Sequence, residues 1–181
     1  MELKLKIKDP ERQLLGNEDV MMQAASAGVE ALLREHLEQK HQGTAPNRYG
    51  LPKSNYYSEA AKHVESEVNG KRVTVEVDYP GIALHYDGGT VYPKKKALAV
   101  PINPAVAGIW PSEYGREMFV VWPKGKKTGL LVGADANDED RIGHALYLLL
   151  PKANIPEDKS VLPTDEQVLN AAEAAIWEAL S

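Results

Sequence analysis

The chain of 181 residues contains no cysteine, which excludes a disulfide framework and any thiolate metal site and suits a reducing compartment. It has no long apolar run either. The longest, Ala145-Leu146-Tyr147-Leu148-Leu149-Leu150, is far below the roughly 20 residues that cross a bilayer as a helix. After Met1 the sequence Glu2-Leu3-Lys4-Leu5-Lys6-Ile7-Lys8 alternates, where a signal peptide would be continuously apolar, so a soluble intracellular protein is expected. An excess of positive charge is also missing: 21 Lys and Arg stand against 26 Asp and Glu, a formal net charge of −5 with a pI near 5.6. That balance argues against broad binding to phosphate backbones and leaves room for a local basic patch.

Chemistry-bearing patterns are absent as well. The five histidines, His36, His41, His63, His85 and His144, include no pair at the i, i+4 spacing that would put two ligands on one helical face. There is no Gly-x-Ser-x-Gly elbow and no dinucleotide fingerprint. Gly125-Lys126-Lys127-Thr128-Gly129 invites comparison with a phosphate loop, but Lys127 stands where the hydroxyl residue belongs and a strand follows where a helix should. The acidic stretch from Ala134 to Gly143 lacks the alternate ligands, central glycine and closing glutamate of an EF-hand. His85 and Asp87, read as sharing one side of a strand, form a structural or exposed pair. No catalytic residue, metal site or cofactor is expected.

What is present is a sequence of regular elements. Leu3, Leu5 and Ile7 alternate with lysines, as in a strand with one wet face whose lysines guard an edge. Asn17 can cap a helix of about 18–41, with Glu18 and Asp19 in its first turn. Met22, Ala25, Val29, Leu32, Leu33 and His36 make its apolar face, and Arg34, Glu35, Glu38, Gln39 and Lys40 lie on the solvated side. A loop over about 42–57 carries Tyr49, Tyr56 and Tyr57, which either meet a partner or fold back onto the core. Ser58 to His63 is expected to be helical.

A β-meander is predicted over about 64–102. Asn69-Gly70 between alternating valines specifies a two-residue primed turn. Asp87-Gly88-Gly89 then reverses the chain between two strand-like runs, Ile82–Tyr86 and Thr90–Tyr92. Pro93 interrupts pairing, Lys94-Lys95-Lys96 holds a turn in water, and Ala97–Val100 resumes a strand closed by Pro101. Residues 103–115, with Trp110 and Tyr114, fit a short helix or an irregular loop. A second hairpin of about 118–133, a buried strand of about 144–150 and a linker from Pro151 to Pro163 follow. Thr164-Asp165-Glu166-Gln167 is a capping box that opens a C-terminal helix of about 165–180. Val168, Leu169, Ala172, Ala175, Ile176, Ala179 and Leu180 form its apolar face. The fold class expected is α+β in one domain, 1–181: an antiparallel twisted sheet of six or more strands with the first and last helices packed on one face.

The order of these elements, with Pro46-Asn47-x-x-Gly50, Asn55-Tyr56-Tyr57, the run from Tyr86 to Pro101, Trp110-Pro111-Ser112-Glu113-Tyr114 and Met118-Phe119-Val120-Val121, resembles bacteriophage and prophage virion-morphogenesis proteins across roughly residues 20–180. The pattern departs from the group at Glu157-Asp158, where many relatives have an arginine and an aromatic, and at Asp87, a position often neutral in the group. The resemblance implies a non-enzymatic tail-completion, tail-terminator or head–tail joining protein, assembled as a ring of identical subunits. It would contact other head–tail or tail proteins, first in the host cytoplasm and then in the virion. Membrane and nucleic acid are not expected as partners. Ring contacts join different patches of one surface, usually loops with aromatic anchors beside strand edges, so Tyr49, Tyr56, Tyr57, Tyr92, Lys94, Lys95, Lys96, Trp110 and Tyr114 are the candidate contact residues. The alternative is a small nucleic-acid-binding module, using Lys94–Lys96 with Lys124–Lys127, or a small-molecule enzyme domain.

Overall fold

The structure, a computed structural model, describes residues 2–5, 18–44, 49–52, 54–133 and 143–181. The fold is α+β, with a helix near each end of the chain and antiparallel sheets. It divides into two compact units, Met1–Gly43 with Asn55–Gly88 and Pro156–Ser181, and Thr44–Ser54 with Gly89–Ile155. Asn17, Lys6, Lys8 and the acidic stretch over 134–142 lie outside the described residues.

The first unit holds β1 (Glu2–Leu5), α1 (Glu18–Gly43), α2 (Tyr56–Lys62), β2 (Val64–Asn69), β3 (Arg72–Val77), α3 (Ile82–Asp87) and α4 (Asp165–Leu180). Its sheet runs in the order β1-β3-β2, all antiparallel. Along β3, Val73, Val75 and Val77 are buried and Arg72 and Glu76 are exposed, the period of two that a half-buried strand requires. Met22, Ala25, Val29, Leu33 and Leu37 of α1 recur at steps of three and four and bury against these valines. Each of the larger of these side chains, the Met, Val and Leu residues, contributes about 1.5–3 kcal/mol when removed from water. Helix α4 packs back along α1. A Cβ on Gly28 would lie 2.6 Å from Ala175 Cβ and 2.8 Å from the Ala171 carbonyl oxygen, so the backbones cross where α1 has no side chain. The capping box forms as expected: Thr164 Oγ1 accepts from the Gln167 amide at 3.3 Å, and Gln167 Oε1 accepts from the Thr164 amide at 2.9 Å.

The second unit holds β4 (Gly89–Val91), β5 (Leu98–Pro101), β6 (Met118–Val121), β7 (Gly129–Gly133), β8 (Ala145–Leu150) and β9 (Ala153–Ile155). Its sheets are β4-β9 and β5-β8-β7-β6. Val106, Leu146 and Tyr147 form a small core, and the Tyr147 hydroxyl donates to the Ile109 carbonyl at 2.8 Å. Residues 103–115 contain two 3₁₀ turns, Pro104–Val106 and Pro111–Glu113. The first is capped by Asn103 Oδ1, which accepts from the Ala105 amide.

Several expectations are corrected. The strands make three sheets of three, two and four strands, where one sheet of six or more was predicted. The meander over 64–102 breaks at Ile82–Asp87, which is the helix α3, bounded by Gly81 at φ +87° and Gly88 at φ +70°. Ile82, Leu84 and Tyr86 fit a strand, but Ile82, His85 and Tyr86 fit a helical face equally well, and a six-residue run cannot separate the two periods. Asp87-Gly88-Gly89 therefore ends a helix. Strand β4 pairs with β9 and β5 with β8, so neither continues the β2–β3 hairpin. The supposed linker 151–163 contains β9 and a 3₁₀ turn at Lys159–Val161. Helix α1 packs on β2 and β3, whereas α4 packs on α1.

The Asn69-Gly70 turn is also shifted by one residue. Asn69 pairs with Arg72, which leaves Gly70, at φ +56°, as the first loop residue, followed by Lys71. This register sets Val68 opposite Val73 and Val64 opposite Val77. The turn predicted from the dipeptide alone would face Val68 with Lys71, so packing of the buried face decides the register.

Candidate functional site

The four-stranded sheet has two edges of different character. Strand β5 is half-buried and ends in Pro101, a residue suited to an edge because it has no amide hydrogen. Strand β6 has no such guard. Phe119, Val120 and Val121 are all exposed, and so is Trp122 just beyond the strand, with Val120 at 53% and Trp122 at 58%. Successive strand residues point to opposite faces, so both faces of this edge are apolar and open. Trp122 lies over Gly129 of β7, where an added Cβ would come within 3.1 Å of the indole ring. The glycine thus gives one ring face a seat and leaves the indole standing at the sheet's corner.

One end of this sheet is basic. Leu98 pairs with Leu150, Leu149 with Gly129, and Leu130 with Val121. The chain entering β5, the turn joining β6 to β7, and the chain leaving β8 all emerge there. These three segments carry Lys94, Lys95, Lys96, Lys124, Lys126, Lys127 and Lys152, all exposed, and no Asp or Glu. Tyr92 is also exposed, at 67%.

The predicted contact residues divide. Tyr92, Lys94, Lys95, Lys96 and Trp110, the last 69% exposed, belong to the second unit and are open. Tyr114 in the same unit is half-buried against the Val106–Leu146–Tyr147 core, and Tyr49 is half-buried. Tyr56 and Tyr57 sit in α2 and fold back onto the first core. The Tyr57 ring is buried; Tyr56 stacks on His85 at 4.6 Å between ring centres, and its hydroxyl donates to the Pro80 carbonyl. Phe119–Trp122 were not among the predicted contacts. Their signal in the sequence is four consecutive large apolar residues, which leave a strand no polar face.

The polar residues of the first unit form a tether. Lys40 Nζ lies 2.7 Å from Asp158 Oδ2 and donates to Ser160 Oγ at 2.6 Å, while the Ser160 hydroxyl donates to Asp158 Oδ1. The hydrogen bonds from Lys40 and Ser160 hold the Asp158 carboxyl below its ordinary range. His36 Nε2 donates to the Ser160 carbonyl. Lys159 Nζ pairs with Asp87 at 3.0 Å and lies 4.0 Å from the centre of the Tyr86 ring. Asp158 Oδ1 also accepts from the Ser160 amide at 3.1 Å, so the carboxylate caps the 3₁₀ turn at Lys159–Val161 and the Ser160 hydroxyl is held between it and the Lys40 ammonium. Lys40 of α1, read from sequence as solvated, anchors this turn, and Arg34 donates to the Val64 carbonyl at 2.8 Å.

His85 and Asp87 do not form a pair. Asp87 meets Lys159, and His85 Nδ1 lies 3.2 Å from the Tyr57 hydroxyl. Burial lowers the imidazole below its ordinary value of 6.5, partly offset by the Asp158 charge. Burial also pushes the Tyr56 hydroxyl up to about 12. Both groups are therefore mostly neutral at pH 7. Among the described residues no cluster of His, Asp and Glu could hold a metal ion, and no helix is long and apolar enough to cross a membrane. Comparison with family models, curated proteins and solved structures finds no match to the chain.

Proposed function

We propose that this chain is a non-enzymatic assembly protein of a phage or prophage virion, which self-associates into a ring at tail completion or head–tail joining. The observation that carries the reading is β6, an unguarded edge strand exposing Phe119, Val120, Val121 and Trp122. Natural proteins blunt such edges with charge, proline or a covering element, because an open apolar edge pairs with another chain. Here the edge is kept, which suits a protein whose working state is assembled. Exposed Tyr92 and Trp110 supply aromatic anchors of the kind that dominate interface energetics. The other head–tail or tail proteins are the further partners, met in the host cytoplasm and kept in the virion.

Sedimentation velocity over a wide concentration range, with negative-stain imaging of the largest species, tests this. Concentration-dependent association into closed rings is expected, and Val120→Lys removes it. A chain that stays monomeric at every concentration, alone and when mixed with the virion proteins encoded beside it, overturns the reading.

A further inference from the structure

Charge is divided sharply between the two units. The second unit contains eleven Lys and Arg against six Asp and Glu, a net +5; the first contains ten against twenty, a net −10. The positive charge of the second unit is also gathered, since seven lysines emerge at one end of the four-stranded sheet in segments without a carboxylate. In the first unit, the outer face of the β2–β3 hairpin presents exposed Glu65, Glu67 and Glu76 together with exposed Arg72 at the turn end, and Glu65 lies directly opposite Glu76 in the register, away from that arginine. Like charges directly opposite each other on a sheet are destabilising. The arrangement costs stability in an isolated subunit and is relieved when cations cover that face.

We propose that the lysine-bearing end of the β5-β8-β7-β6 sheet docks on the glutamate face of the β2–β3 hairpin of a second copy. This rests on the self-assembly reading above and names its contact. Because the two patches differ and sit on different units, the contact is head-to-tail and repeats from copy to copy, closing a ring if the rotation permits. Trp122 stands at the same corner of the sheet, so the open apolar edge of β6 continues the basic surface. Apolar area supplies affinity there, and the lysines supply orientation and encounter rate. A second copy suits this surface better than nucleic acid does, for two reasons. An apolar strand is completed by another protein chain, and the −10 of the first unit repels a polyphosphate.

Charge reversal tests the pairing. One variant carries Lys124→Glu, Lys126→Glu and Lys127→Glu; the other carries Glu65→Lys, Glu67→Lys and Glu76→Lys. Each alone is expected to weaken self-association at least about a hundredfold, because opposed like charges cost several kcal/mol. An equimolar mixture of the two restores it, since each variant then meets its complement. Association of the native chain falls as salt rises from about 0.1 M to about 1 M, where the screening length drops from about 10 Å to about 3 Å. Far-ultraviolet circular dichroism checks that both variants are folded, and the salt titration of the native chain stands whether or not they are. If the native chain assembles and both folded variants assemble as tightly, or the mixture is not rescued, the contact lies elsewhere and only this inference falls. Assembly that is insensitive to salt overturns it in the same way. If the lysine reversal leaves assembly intact but abolishes salt-sensitive retention of single-stranded DNA, the basic end is a nucleic-acid site. A native chain that never associates removes the assembly reading itself.

Discussion

The two units solve the same problem, hiding apolar surface, to different degrees. In the first, α1 covers the inner face of β2 and β3, α4 backs α1 through the gap at Gly28, and α2, α3 and the 3₁₀ turn close the cluster from Met22 to Ala172. In the second, the fully buried cluster is Val106, Leu146 and Tyr147, and one edge of the main sheet is apolar on both faces. Both have antiparallel sheets and similar strand lengths. Among the described residues, the difference lies in what each sheet is given as a cover: the first has a helix of 26 residues, the second short 3₁₀ turns. A core with a cover makes a stable body, and a sheet without one makes a surface that a partner completes.

Substitutions can break this contrast, starting with the largest effect on stability. Leu33→Ala removes a fully buried side chain from the first core and is expected to cost about 2–5 kcal/mol in urea unfolding, a substantial fraction of an ordinary domain's stability of about 5–15 kcal/mol. Gly28→Ala separates two opposing effects. Helix propensity favours alanine by about 1 kcal/mol, whereas a Cβ placed 2.6 Å from Ala175 Cβ forces the helices apart at a cost of about 1–3 kcal/mol. Net destabilisation is expected, and a stabilised variant would show that α1 and α4 are loosely joined.

Acid sharpens the comparison by acting on the first unit. His85 resists protonation in the folded chain, so the unfolded chain takes up a proton first, and stability falls as pH drops through the ordinary value of 6.5. The loss stops below the lowered folded value. Asp158 adds a second loss, beginning near its ordinary 3.8 and complete only below its lowered folded value. Thermal melts between pH 8 and pH 5 should show the first of these, and His85→Gln should flatten it. The smallest effect on stability is expected from Val120→Lys, within about 0.5 kcal/mol because the side chain is exposed. The same variant abolishes association in sedimentation. If it instead unfolded the chain, β6 would be part of a covered core and the contrast between the units would fail.

Much of the first unit was legible along the chain. The face of α1, the Thr164–Gln167 box that starts α4, and the alternating valines of β2 and β3 are local patterns, each set by residues within one or two turns. The errors fall where local signals tie. Ile82–Asp87 fits both periods, and its helical state is fixed by Gly81 and by Gly88, whose Cβ position lies 2.7 Å from the Glu157 amide nitrogen. Tyr56 and Tyr57 fit either a partner contact or a return to the core, because nothing nearby in sequence shows that His85 and Pro80 receive Tyr56. Lys40 looked solvated because its partners, Asp158 and Ser160, lie far along the chain.

By itself, the sequence determined which segments are helical or extended over their longer runs, where the capping box forms, and that metal-thiolate and disulfide chemistry are excluded. Only the tertiary structure decided that the strands make three sheets, that β6 lies at an edge, and that Lys94–Lys96, Lys124–Lys127 and Lys152 emerge at one end. The physical reason is range. Helix periodicity and caps are written within a few residues of each other, whereas strand order depends on pairing between segments whose choice of partner is settled by burial of their side chains together.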